Sequence, residues 1–142
     1  MAKIATAALG RPMIRSRAII EHTELTAAGT SDTVDIMRIP AGAVVEHVFI
    51  EVPTLFADAG SISAVTIKVG DGSDDDAYLT ALACFTGASQ ARQEAAGAGP
   101  FVLQQAQTLV ATFTATGANF GDGSTTDLDA GTIVVTAMYR IV

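Results

Sequence analysis

Apolar and polar residues alternate with a period of two along most of this chain, and no stretch holds a helical period long enough for an amphipathic helix. Ala43 to Thr54 is the clearest strand. Val44, Glu46, Val48, Ile50 and Val52 share one face, and Val45, His47, Phe49 and Glu51 share the other. Both faces are mostly apolar, so the strand is predicted to be buried on both sides or to lie at an interface. Pro53 marks its end or an edge position.

Further strands are predicted at Arg17 to Thr26, Thr33 to Ile39, Ile62 to Val69, Phe101 to Leu103, 107–116 and Thr132 to Val142. Ala77 to Phe85 reads equally as strand or helix. Residues 86–99 are rich in Ala, Gly and Gln and are expected to form a loop with a short helical turn near Ser89 to Ala95. Gly and Asp mark the turns at 70–72 and 117–131. Residues 1–16 show no clean period and read as an N-terminal arm ahead of one domain, 17–142. Seven or eight short strands without a helix predict an all-β fold, a β-sandwich, with a jelly roll as the leading topology.

Composition sharpens this picture. The 142 residues are 49 % hydrophobic and only 16 % charged. That is too apolar for a disordered chain and low in charge for a monomer that must cover its whole surface with polar groups. The net charge of −7 is unevenly spread. Lys3, Arg11, Arg15 and Arg17 precede the first acid, Glu21. All 15 acids follow against four basic residues, so the first 20 residues carry +4 and the rest −11. An acidic body argues against nucleic acid as the main partner. A basic arm on such a body suits an acidic neighbour. No apolar run approaches the roughly 20 residues that a membrane span requires, and the short Ile4 to Leu9 run, closed by Arg11, does not read as a signal peptide.

Candidate chemistry is sparse. Cys84 is the single cysteine and sits among Leu82, Ala83 and Phe85, so an inert buried thiol is expected. His47 lies within the strongest strand, where a packed or interface role is commoner than catalysis, and His22 stands beside Glu21 and Glu24. No Gly-x-Ser-x-Gly elbow exists, and Gly70-Asp71-Gly72 lacks the Gly-Lys-Ser/Thr of a phosphate loop. Asp71, Asp74, Asp75 and Asp76 form one acidic loop; Asp122, Asp127 and Asp129 form another. Carboxylates on a flexible loop suit calcium. However, the sixth position from Asp71 is Asp76 and the twelfth is Leu82, where an EF-hand needs Gly and Glu. The expected reading is an Asp-Gly turn with no metal and no cofactor.

Three stretches carry a resemblance: Ile39-Pro40-Ala41-Gly42-Ala43-Val44-Val45, Val69-Gly70-Asp71-Gly72-Ser73-Asp74-Asp75-Asp76-Ala77-Tyr78-Leu79, and Leu128-Asp129-Ala130-Gly131-Thr132-Ile133-Val134-Val135 ahead of Tyr139. Their succession over roughly residues 30–142 is similar to small head-decoration and related head proteins of tailed bacteriophages. The resemblance implies a non-enzymatic virion protein made in the host cytoplasm. It would be bound to the major capsid protein at the capsid surface, often as a homotrimer, without nucleic acid, membrane or cofactor. Another virion part, such as a tail or head-fibre base, and a calcium-dependent carbohydrate-binding module are the alternatives. Arg11, Arg15 and Arg17 of the basic N-terminal region and His47 and Phe49 of the central strand are the expected interface residues, the arginines because guanidinium pairs well with carboxylates in partly buried contacts.

Overall fold

The computed structural model describes residues 12–94 and 101–141. Eight strands run in chain order: β1 (Ile14–Glu21), β2 (Ser31–Ile39), β3 (Ala43–Ala57), β4 (Ala64–Gly70), β5 (Leu79–Ala83), β6 (Phe101–Val102), β7 (Gln107–Thr116) and β8 (Ala130–Ile141). They form two four-stranded antiparallel sheets, ordered β1-β8-β3-β6 and β2-β7-β4-β5. The sheets pack face to face as a β-sandwich. Val45, Ile50, Val52, Ile133, Val135 and Ala137 of the first sheet meet Val65, Ile67, Leu109, Ala111 and Phe113 of the second in one core. Phe56 and Phe113 close it edge to face, with ring centroids 5.8 Å apart.

The elements follow the alternation, with three corrections. β1 begins at Ile14, inside the stretch read as arm, and stops at Glu21 instead of Thr26. A single 3-10 turn, His22–Glu24, ends it, with Glu24 accepting a hydrogen bond from the Glu21 N–H at 2.8 Å. The ambiguous stretch 77–85 resolves as the short strand β5. No helical turn forms at residues 89–94; instead Gln93 bridges to Ile50 of β3, N–H to carbonyl in both directions at 2.9 and 3.0 Å.

β3 carries the most consequential difference. It continues past Pro53 to Ala57, and its register against β8 shifts between Val45 and His47. The extra residue, Glu46, is a β-bulge, and a bulge exchanges the two faces of the strand beyond it. Val45 therefore points into the core with Val48, Ile50 and Val52, while His47, Phe49 and Glu51 point outward. Strict alternation had placed Val45 with His47 and Phe49.

Candidate functional site

The outward face of the β1 sheet gathers most of the expected interface residues. Cross-strand registers set three rows across β1, β8 and β3: Arg15, Met138 and His47; Arg17, Thr136 and Phe49; Ile19, Val134 and Glu51. Arg15, Arg17, His47 and Phe49 thus share one face, although they lie some 30 residues apart in the chain. Arg11 lies outside the described residues.

Phe49 is not free to receive a partner. It is only 3 % exposed, and Val134 and Thr136 beside it are buried as well, although all three face away from the core. The chain's own segment 89–94 supplies the cover. The Arg92 guanidinium stands 3.7 Å from the Phe49 ring centroid, in cation–π contact. Glu94 places Oε1 2.6 Å from His47 Nδ1, and Gln90 Nε2 donates to the Pro53 carbonyl at 2.9 Å. A long apolar outer face on β3 called for either a partner or a covering loop; the loop is present.

The basic residues of this face divide into two kinds. Arg92 pairs with Glu94, and Arg140 pairs with Glu46. Arg15 and Arg17 are exposed, and among the described residues no carboxylate lies within ion-pair reach of either. Ile19, at 62 %, is the most exposed large apolar side chain described. All three stand on β1, the edge of its sheet.

The two acidic loops turn out to be one device used twice. Gly70-Asp71-Gly72-Ser73-Asp74 and Gly121-Asp122-Gly123-Ser124-Thr125 share a Gly-Asp-Gly-Ser frame. In each, one carboxylate oxygen gathers the donors of the turn. Asp71 Oδ1 accepts from the Ser73 N–H, the Ser73 hydroxyl and the Asp74 N–H at 2.8–2.9 Å. Asp122 Oδ1 accepts from the N–H and hydroxyl of both Ser124 and Thr125 at 2.8–3.1 Å. The first glycine is obligatory for a steric reason, since a Cβ on Gly70 or Gly121 would lie 1.9 Å from the carbonyl oxygen of Asp74 or Thr125. Partial burial opposes the charge on Asp71, but the bonds from Ser73 and Asp74 outweigh it and hold its pKa below the usual value. The Thr125 and Ser124 donors depress that of Asp122 further.

These aspartates are turn caps, each satisfied within its own loop. The role expected of the Asp-Gly pair shifts accordingly: Gly72 meets nothing within 4 Å and has no positive φ, so the geometry rests on Gly70 and Asp71. Asp74, Asp75 and Asp76 remain exposed, with oxygens within 4.8 Å of one another. Lys68 reaches Asp75 at 3.5 Å, and a hydrogen bond with Asp74, ahead of the mutual repulsion, raises the pKa of Asp76.

No protein-family model matches this chain, and none of the curated proteins does. Solved structures share its fold. A chain of the cyanophage Pam1 capsid asymmetric unit aligns with a TM-score of 0.68 at 18 % identity, covering 94 % of this chain and 87 % of that one. A chain from the acid-stable capsid of Helicobacter pylori bacteriophage KHP30 aligns at 0.57 and 17 %, covering 92 % and 93 %. One from the capsid of Ralstonia phage GP4 aligns at 0.55 and 19 %, covering 92 % and 85 %. The two-sheet sandwich is thus a fold found in the capsids of three phages.

Proposed function

We propose that this chain is a structural, non-catalytic virion protein of a tailed bacteriophage that binds the outer surface of the capsid and decorates or stabilises the shell. The observation that carries this reading is the near full-length correspondence of its fold with chains from three phage capsids. The order β1-β8-β3-β6 over β2-β7-β4-β5, with successive strands crossing between sheets at most steps, supports a jelly roll. Among the described residues no helix is long and apolar enough to cross a membrane.

The basic N-terminal region, with Arg11, Arg15 and Arg17, is the proposed contact region toward acidic protein surfaces, either the major capsid protein or another copy. His47 and Phe49 are not included, because Glu94 and Arg92 of the same chain already engage them. The threefold assembly implied by the family resemblance loses its physical motive with them.

Purified protein mixed with phage heads lacking it should co-sediment with the heads and appear in negative stain on the shell surface. Density on tails alone, or no association with heads, would reject the reading.

A further inference from the structure

Two independent contacts define the open edge of β1. Ile50 gives both its N–H and its carbonyl to Gln93, so it cannot bond Val135, its partner on β8. In an antiparallel ladder the bonded and non-bonded pairs alternate. Val135 must therefore turn its groups toward Ala18 on the other side. At the end of β1, the Glu21 N–H is taken by Glu24 instead of by Thr132 opposite. Both observations give the same phase: Ile14, Ser16, Ala18 and Ile20 bond β8, and Arg15, Arg17 and Ile19 turn their N–H and carbonyl groups to the side where no described strand pairs.

Among the described residues, this edge lacks the usual protection. A regular exposed edge strand is a template for another strand unless bulges, shortness or covering segments blunt it. β2 has a bulge between Asp35 and Met37, β5 has five residues and β6 two. β1 runs eight residues against β8 without a register shift.

We propose that β1 is a self-association edge, pairing antiparallel with β1 of a second copy about a twofold axis at Ala18. In this register Arg17 stands opposite Ile19 of the second copy, and Arg15 stands opposite its Glu21. The two Arg17–Ile19 pairs use the open backbone groups. The Arg17 stem covers the exposed Ile19, and Arg15, which has no ion pair among the described residues of its own chain, gains a carboxylate. Cross-strand opposite charges of this kind favour pairing. Sliding by one residue on each strand one way opposes Arg17 to Arg17; sliding the other way moves Arg15 past Glu21 to stand opposite the 3-10 turn, with no carboxylate across from it. The result is one continuous eight-stranded sheet across two sandwiches, a closed twofold assembly.

The register makes a prediction about cysteine cross-linking in the purified protein, independent of any role in a virion. Ala18 would face its own counterpart in a non-bonded pair, with Cα atoms about 4.5 Å apart, within disulfide reach. The two Ser16 residues would be ~14 Å apart, beyond it. Under an added oxidant, Ala18→Cys should form a covalent dimer of twice the 14.5 kDa chain mass, while Ser16→Cys should stay monomeric on a denaturing gel. Light scattering should give the wild type as a dimer. Arg15→Glu should dissociate it, and adding Glu21→Arg should restore it. Equal cross-linking at both positions, none at Ala18→Cys in a folded protein, a wild-type monomer, or a threefold mass would each overturn the proposal.

Discussion

The ring of Phe56 lies against the bare backbone of Gly131. A Cβ at Gly131 would stand 2.1 Å from Phe56 Cδ1, and its φ of +146° disfavours any other residue. Phe56 in turn is wholly buried and packs edge to face on Phe113. Gly131→Ala should therefore destabilise the fold by about 3 kcal/mol through overpacking and strain. This corresponds to a drop in Tm on the order of 10 °C. A thermal melt of the variant measures it. Gly72→Ala, where a Cβ meets open space, is the matched control and should melt close to the wild type.

The turn aspartates predict a pH dependence with a definite sign. Their folded pKa values lie below the ordinary carboxylate value, so their contribution is present above about pH 4, the unfolded value, and is lost as pH falls through the depressed folded values. Asp122→Ala should lower the Tm by a few degrees at neutral pH, and the gap to the wild type should narrow as pH drops below ~4. Melts across a pH series test this. A gap that stays constant into strong acid would contradict the charged-cap account.

Phe49 and Arg92 should differ in weight. Truncating Phe49 to Ala uncovers Val134 and Thr136 as well, and is expected to cost about 2–3 kcal/mol, somewhat less than a core phenylalanine. Arg92→Ala removes a half-exposed cation and should cost under ~1 kcal/mol. Denaturant unfolding of the two variants separates these values. If Phe49→Ala leaves stability unchanged, the ring does not serve the chain's own fold.

Cys84 should be silent in the folded protein. It is fully buried, its Sγ donates to the Val65 carbonyl at 3.4 Å, and burial pushes its pKa up to about 12. Labelling by a thiol reagent at neutral pH should track global unfolding, which a denaturant series with a colorimetric reagent would read directly.

Alternation located most strands, though it misplaced both ends of β1. β7 and β8 lie where Leu109, Phe113, Ile133 and Val135 place them, and the overall sandwich follows. It failed at Glu46, because a bulge leaves the composition of a strand unchanged while reversing its parity. The cover over Phe49 was equally hidden: Arg92 and Glu94 sit in an Ala- and Gly-rich stretch with no period, and their positions depend on Gln93 meeting Ile50 across the fold. The twin Gly-Asp-Gly-Ser turns were legible in principle, since the same four letters occur at 70 and 121. What the letters withheld was that the aspartates cap the turns, that the first glycine of each is sterically required, and that of the second glycines only Gly123 holds a positive φ.

Ile14 stands opposite Tyr139, so the beginning of β1 and the end of β8 leave the sandwich at one corner. That arrangement has a mechanical meaning. Tension applied between these two points would peel β1 from β8 one residue pair at a time, beginning with Ile14 and Tyr139, because only the outermost bonds carry load at any moment. Tension applied between Ile14 and Ala130, at the far end of β8, would run along the strands and spread over all eight pairs at once. The same ladder is therefore soft to one pull and stiff to the other.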